Sequence, residues 1–261
     1  MNNKYNSDEF KKILIDVGLA NGDNVFVHTS LKTIGKYEDL KQPDLLNMIK
    51  KAVFDIIGEN GYIAVPTFNF NFAKGEEFDV DNTPSEGMGI FSEFIRKYEG
   101  SKRTSHPMHS ISILGKNSDH IASLEGNTEF SEGSAFDYLL KTKCKILFLG
   151  DSFTETFFHI AEEKAKVPYR FWKTFRGDLF KNSLKKEIEI QYYARNLEEN
   201  PEPRIDVPKL FKFLNGKNIF KRSNNEKINL MICASNSYVD YCLAKLKENP
   251  KFFLKVCSVG N

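Results

Sequence analysis

The first 68 residues alternate between two kinds of hydrophobic pattern. Residues 24–31 and 61–68 are short runs rich in β-branched and aromatic side chains, which is typical of buried strands. Residues 6–18 and 41–57 have apolar side chains three or four positions apart, as in amphipathic helices, and Ser7 is expected to cap the first of them. Because strands separated by helices usually lie in one sheet, the alternation predicts an α/β fold with helices covering a largely parallel sheet.

The same two patterns continue towards the C-terminus. Helices are predicted at residues 89–98, 118–124, 134–141, 207–214 and 236–248, and strands at residues 111–114, 144–150, 185–193, 219–222 and 227–233. The acidic, proline-containing residues 196–203 are expected to form a connector. Since no repeat and no shift in composition divides the chain, we predict one domain over residues 1–261.

The composition is that of a globular protein. The chain has 261 residues, 41% of them hydrophobic, with 23 Phe, which is enough for a substantial core. The net charge of +2 is too even for a protein that must neutralise many nucleic-acid phosphates. The sequence has no run of about 18 apolar residues and no apolar segment typical of a signal peptide near Met1. We therefore expect a cytoplasmic protein with neither a nucleic-acid nor a membrane partner.

The four cysteines indicate buried free thiols. Cys144, Cys233, Cys242 and Cys257 are far apart and include no Cys-x-x-Cys pair. This spacing favours neither a disulfide framework nor a cysteine zinc site.

The strand at residues 144–150 is followed by a helix that carries a candidate base. His159 and Glu162 are three positions apart, so the carboxylate can contact the imidazole, and a histidine held in this way near a strand end can act as a general base. An ordinary solvated or capped pair would have the same spacing. Asp151, Ser152 or Thr154 is expected to cap this helix.

Two further segments are candidates for binding. His28, Thr29 and Ser30 end the first strand, where an open α/β sheet places its ligand crevice, although a turn bonded to its own backbone would explain them equally well. The long polar and aromatic loop from Asn69 to residue 89 contains Asp79, and long loops in compact domains tend to bind ligands.

The turn at residues 105–110 contains His106 and His109, three positions apart. Pro107 between them disfavours a helix, and no third ligand with matching spacing follows. We therefore expect no metal, and interpret both histidines as hydrogen-bonding residues of a turn, one of them facing a site. The chain also lacks the glycine motifs of nucleotide-binding loops and a Gly-x-Ser-x-Gly elbow, which disfavours a covalent serine mechanism.

Aromatic and basic residues alternate over residues 169–176, with Arg170 among them. They predict either a rim over a pocket or an edge segment that packs its rings into the core.

Several of these segments together resemble the aminoglycoside 3-N-acetyltransferase family. They are VHTSL at 27–31, VPTF at 65–68, FD at 78–79, TPS at 83–85, SHPMHS at 105–110, GSAF at 133–136, ILFLG at 146–150 and TFFHIAE at 156–162. The resemblance covers residues 25–177 and implies a three-layer α/β fold, with helices on both faces of a largely parallel or mixed sheet. Residues 178–261 would complete the sheet and the acceptor side.

The resemblance also implies roles for individual residues. His159 would be the general base, oriented by Glu162, and acetyl-CoA would be the acyl donor. His28, Thr29 and Ser30, together with His109 and Ser110, would line the coenzyme side. The chain departs from the family at Phe157, where a hydroxyl residue is usual.

The acceptor would be the amino group of a sugar, with Asn69, Asp79 and Arg170 in contact with it. A neutral imidazole would remove a proton from the amine as it attacks the thioester, without an acyl-enzyme.

Sites for polycationic aminoglycosides need carboxylates. In the loops that flank the predicted site, basic residues outnumber acidic ones. The basic residues are Lys74, Lys102, Arg103, Lys164, Lys166, Arg170, Lys173 and Arg176, and the acidic ones are Glu76, Glu77, Asp79 and Asp81.

This balance, with a sequence pI near 8.2, favours a nucleotide-linked amino sugar. An aminoglycoside is the alternative acceptor. An inactive binding module and a thioester hydrolase are further alternatives, and the sequence leaves a homo-oligomer open.

Overall fold

The computed structural model describes residues 4–38, 42–199 and 203–255. Residue 41 of the second predicted helix, part of the 196–203 connector and Cys257 lie outside these ranges. In the described part of the chain, no helix is both long enough and apolar enough to span a membrane.

The helices are α1 (Ser7–Asp16), α2 (Gln42–Ile57), α3 (Ile90–Arg96), α4 (Ser118–Ala122), α5 (Ala135–Lys141), α6 (Thr156–Ala165), α7 (Val207–Gly216) and α8 (Ser235–Glu248). The strands are β1 (Lys4–Tyr5), β2 (Asn24–Thr29), β3 (Lys36–Tyr37), β4 (Tyr62–Pro66), β5 (Phe78–Asp79), β6 (Lys102–Arg103), β7 (Ile111–Gly115), β8 (Lys145–Leu149), β9 (Arg170–Lys181), β10 (Leu184–Arg195), β11 (Lys221–Arg222) and β12 (Leu230–Ala234). A 3-10 turn covers Asn71–Lys74.

Seven strands of the described residues form the central sheet, in the order β11-β12-β8-β2-β4-β7-β6. The three middle strands, β8, β2 and β4, are parallel. β12 and β7 flank them in the antiparallel sense, and β11 and β6 are antiparallel edge strands. The sheet is therefore mixed, and β11 and β12 from the last third of the chain complete one side of it.

Alternate residues of β2 point to the two faces of this sheet. Val25 and Val27 belong to a core cluster with residues of α1, α2 and α3. Phe26 belongs to a second cluster, which contains residues of α4, α5, α6, α7 and α8. Because successive side chains of a strand point to opposite faces, the central sheet separates two helical layers. The predicted α/β fold with helices on both faces of the sheet is confirmed.

A smaller sheet in the described region has the strand order β10-β9-β5. β9 and β10 form a long antiparallel hairpin, whose tip residues Asn182 and Ser183 both have positive φ, as a two-residue turn requires. The sequence predicted only the second of these strands. The aromatic residues at 169–176 divide between the two predicted roles. Tyr169 is buried, as expected of a ring packed into the core, whereas Phe171 and Trp172 are each 47% exposed, as expected of a rim.

Two predicted helix caps are wrong. Asn6, and not Ser7, caps α1, because its Oδ1 accepts from the Glu9 amide at 2.9 Å while the Glu9 carboxylate accepts from the Asn6 amide at 3.1 Å. Helix α6 has no side-chain cap at all. Of the three predicted candidates, Ser152 instead donates to the His28 carbonyl, and the Asp151 carboxylate accepts from the Asn229 side chain.

Buried Arg103 ties the long 69–89 loop to the sheet. Its guanidinium donates to the carbonyl oxygens of Thr67 at 2.6 Å, Val80 at 3.3 Å and Thr83. Burial lowers the pKa of Arg103 to about 9, which still leaves it charged at neutral pH. The loop is therefore held across the same edge of the sheet at which β2 and β8 end.

Gly150, directly after β8, provides a test of this packing. Its φ is +72°, and a Cβ there would meet the Ser30 carbonyl oxygen and lie 2.6 Å from Thr33 Oγ1. Gly133 also has a positive φ, +82°, but a Cβ there has nothing within 4 Å. We expect Gly133→Ala to cost about 1 kcal/mol of unfolding free energy and Gly150→Ala about 2 kcal/mol more, because only the second adds a clash. Urea unfolding measures both, and equal losses would contradict the close approach of these two segments.

Candidate active site

His159 lies on the first turns of α6, next to the edge where β2 and β8 end. The buried face of α6 carries Phe157, Phe158 and Ile160, which leaves His159 partly exposed. Phe157 packs edge-on against Phe26 with ring centroids 5.2 Å apart. The position at which the chain departs from the family pattern is thus part of the core, and the core holds the helix that carries His159.

The predicted contact between His159 and Glu162 is present. His159 Nδ1 lies 2.6 Å from Glu162 Oε2, and Arg170 Nη2 lies 2.8 Å from the same oxygen. The Tyr169 hydroxyl donates to the other oxygen at 2.9 Å. Arg170 Nη2 is also 3.1 Å from His159 Nδ1, but a guanidinium only donates, so we assign its proton to the carboxylate.

Glu162 is fully buried and still ionised. Burial by itself would raise the pKa of this carboxyl, but the contacts with His159 and Arg170 outweigh it and hold the pKa below its ordinary value. A carboxylate only accepts, so His159 Nδ1 carries a proton and Nε2 keeps its lone pair in the neutral ring. This is the tautomer that a general base needs.

Two cavities meet at His159. The first, about 330 Å³, lies at the ends of β2 and β8 and includes residues 151–156 at the start of α6. The second, about 1250 Å³, lies between α6, the β9–β10 hairpin and residues 195–198. His159, Glu155 and Phe70 line both cavities. An imidazole in this position can act on a group bound in one cavity while a second molecule occupies the other.

The residues predicted for the coenzyme side divide into two groups. His28, Thr29, Ser30 and His109 line the first cavity. Burial lowers the pKa of His28 to about 3, so its ring is neutral. Ser110 does not line that cavity, because it is fully buried and its hydroxyl donates to the Thr67 carbonyl at 2.8 Å.

The residues predicted for the acceptor side have other partners. The Asn69 side chain bonds to the Pro84 carbonyl and the Asn71 amide, and the Asp79 carboxylate bonds to the amides of residues 81 and 82. Neither lines the two cavities, so both shape the long loop. Arg170 lines the second cavity, but its guanidinium holds Glu162 and the Tyr193 carbonyl. The structure therefore brings only Arg170 to the site.

Several residues of the site gave no signal in the sequence. Tyr192 and Glu198 line the second cavity and belong to the second hairpin strand and the segment after it, which carry no motif. Lys173 lines the same cavity but belongs to the aromatic and basic stretch 169–176, from which the sequence did predict a rim. Glu129 is buried beside His109 and has no recognisable pattern around it. The position of Tyr192 follows from the pairing of β9 with β10, and those of Glu129 and Glu198 follow from the packing of segments outside the strands.

The two histidines of the 105–110 turn take part in hydrogen bonds. His106 Nδ1 accepts from the His109 amide at 3.0 Å, and His109 Nδ1 lies 3.0 Å from Glu129 Oε1. Across residues 4–38, 42–199 and 203–255, no cluster of three or more acidic, His or Cys side chains could hold a metal.

Known proteins resemble this chain over much of its length. The family model for aminoglycoside 3-N-acetyltransferase matches residues 26–247. The chain is 26% identical over 219 residues to the SPbeta prophage-derived aminoglycoside N(3')-acetyltransferase-like protein YokD of Bacillus subtilis, covering 69% of this chain and 78% of YokD. It is 25% identical over 174 residues to aminoglycoside N(3)-acetyltransferase III of Salmonella sp, covering 61% of this chain and 60% of that enzyme.

The fold is also similar to a solved structure, that of AAC-IIIb in a binary complex with CoASH. The TM-score is 0.78 at 17% identity, with 94% of this chain and 97% of the other covered. The predicted fold class, enzyme class (an acyl-CoA-dependent N-acyltransferase) and acetyl-CoA cosubstrate are confirmed at the level of the family. For the acceptor, the relatives' names support the aminoglycoside alternative better than the favoured nucleotide-linked sugar. The match over residues 26–247 shows that the chain belongs to the aminoglycoside 3-N-acetyltransferase family.

Proposed function

We propose that the protein transfers the acetyl group of acetyl-CoA to a primary amine of an amino sugar of the aminoglycoside type. The observation that carries this proposal is the position of His159, whose ring is oriented by a buried, ionised Glu162 at the junction of two cavities. The family match supports the reaction class, and the relatives' names support the acceptor.

In the proposed reaction His159 Nε2 removes a proton from the attacking amine. The C–N bond forms as the N–H bond breaks, and Glu162 stabilises the imidazolium that results. The thioester oxygen gains negative charge in this step. The amides of Glu155 and Thr156, at the start of α6, have no intrahelical partner among the described contacts and lie beside the same cavity, so they are positioned to donate to that oxygen.

We assign the coenzyme's thioester arm to the first cavity. Its walls include Thr29 and Ser30, which offer hydroxyl groups, and apolar Phe68 and Met88, which suit the arm's methylene groups. The acceptor then occupies the second cavity, on the other side of His159. This arrangement allows direct transfer, since both reactants reach the imidazole without an acyl-enzyme.

The charge of the second cavity favours a second candidate acceptor. Its described lining includes the basic residues Arg170, Lys173, Arg195, Arg204 and Lys255, and the acidic residues Glu155 and Glu198. Counted over all the described lining residues, five basic side chains stand against two acidic ones. Because a polycation is repelled by such a wall, an amino sugar that carries an anionic group, such as a nucleotide-linked one, is the second candidate.

Substitution of the base tests the reaction. We expect His159→Gln to lower kcat for acetyl transfer by about 10²- to 10⁴-fold, because no other group takes the proton directly from the amine. Glu162→Gln should lower kcat less and also cost about 3 kcal/mol of stability, since it leaves buried Arg170 without its carboxylate.

The measurement is CoA release with and without amine, with thermal unfolding of each variant as the folding control. The exposed His120→Gln variant should match the wild type. Unchanged transfer in His159→Gln would contradict the mechanism, and CoA release that does not need an amine would indicate a hydrolase instead.

Reversal of one cavity charge tests the acceptor. Lys173 is exposed on the wall of the second cavity, whereas Lys12 is exposed on α1, which packs on the opposite face of the central sheet. If the acceptor is cationic, Lys173→Glu should lower its KM about fivefold, and if it is anionic, the same change should raise its KM about fivefold.

Lys12→Glu, with the same change in net charge, should do neither. The assay compares an aminoglycoside with a nucleotide-linked amino sugar. Equal effects of the two variants would show that this cavity does not bind the acceptor.

A further inference from the structure

A second histidine–carboxylate pair faces His159. His109 Nδ1 lies 3.0 Å from Glu129 Oε1, and both side chains are buried. The contact uses the same imidazole atom as the contact of His159 with Glu162. The two pairs come from different parts of the chain, one from α6 and the other from two loops.

A small cavity separates the two pairs. His109, Glu129 and His159 line it, together with Arg170 and Tyr192, and its volume is about 10 Å³. This is about the size needed for one water molecule, and the polar groups around it can provide the hydrogen bonds that such a water requires. The two imidazoles therefore border one water-sized space. They also both line the first cavity, where we place the thioester arm.

Hydrogen bonds define the protonation of the second pair. His106 Nδ1 accepts from the His109 amide, so in the neutral His106 ring the proton is on Nε2, which lies 3.5 Å from Glu129 Oε2. Burial lowers the pKa of His106 to about 4 and keeps this ring neutral.

Burial also acts to raise the pKa of Glu129, but the neighbouring histidines outweigh it and the pKa is lowered. Glu129 is thus a carboxylate that only accepts. It orients His109 with its proton on Nδ1 and a lone pair on Nε2.

The proposed reaction releases one proton in addition to the proton that ends on CoA. An amine at neutral pH is an ammonium, so its nitrogen loses two N–H protons while the C–N bond forms and the C–S bond breaks. One proton ends on the sulfur of CoA, which leaves as a thiol, and the other must reach solvent. His159 can hold only one proton at a time.

We propose that His109, oriented by Glu129, receives one of these two protons from the His159 side through a water molecule in the small cavity. This proposal rests on the proposed function. The proton then leaves through a third cavity of about 310 Å³, which His109, Glu129 and His106 line. Glu129 Oε2 and His106 Nε2 are buried without a hydrogen-bond partner in the described part of the chain, and a water that entered from this cavity would satisfy both.

Buffer dependence separates a proton relay from a purely structural pair. In the full-length chain we expect His109→Gln and Glu129→Gln to lower kcat for acetyl transfer about tenfold or more at low buffer concentration. Added imidazole should restore the rate of His109→Gln as its concentration rises, since it can carry the proton from the cavity. The wild type and the exposed-surface control His120→Gln should show no such dependence.

Each other outcome overturns the relay. A loss of kcat that imidazole does not change would show that the pair only supports the fold, and an unchanged kcat would show that no proton passes this way. Should both variants fail to fold, the ¹⁵N NMR spectrum of wild-type His109 decides, because a proton on Nε2 instead of Nδ1 excludes the acceptor role.

The same assay keeps this proposal apart from the proposed function. Loss of transfer in His159→Gln, together with buffer-independent His109→Gln kinetics, would overturn the relay alone. A wild type that acetylates no amine would overturn both.

Discussion

The candidate site depends on one buried charge, the carboxylate of Glu162. It has no exposed surface, yet it is ionised because an imidazole, a guanidinium and a phenol hydroxyl surround it. A buried carboxylate without such partners would be strongly unfavourable, so these contacts must form together when the chain folds. Two of these partners are Arg170, the first residue of β9, and Tyr169, the residue before it. The ion pair therefore joins helix α6 to the hairpin that forms one wall of the second cavity.

The mixed sheet explains why the site lies where it does. Parallel β8 and β2 end at the same edge, and short segments after them bring polar residues to one crevice. The loop held by Arg103 closes that crevice from the β4 side. An imidazole at the start of α6 is then accessible from two directions. The reaction that we propose needs this geometry, because the coenzyme and the acceptor must reach the same nitrogen atom from different cavities.

Two imidazole–carboxylate pairs around one water-sized space also account for two polar clusters that are otherwise costly to bury. His109 and Glu129 are nearly as inaccessible as Glu162, and a hydrogen-bonded pair is a stable way to bury both groups. This pair differs from the pair at His159, because Glu162 also contacts a guanidinium whereas Glu129 has no such contact among the described residues. A proton received by His109 would therefore be stabilised by Glu129, which gives the second pair a role in the chemistry as well as in the fold.

Local sequence patterns were sufficient to predict the layers of the fold and the contact between His159 and Glu162. Hydrophobic periodicity and a spacing of three on a helix are short-range properties, so they can be predicted without coordinates. Three features emerge only from the folded chain: Arg170 and Tyr169 hold Glu162, Glu129 contacts His109, and Asn69 and Asp79 shape a loop instead of the site. Such contacts join residues whose distance in space is set by strand pairing and burial, and no local pattern in the chain records that distance.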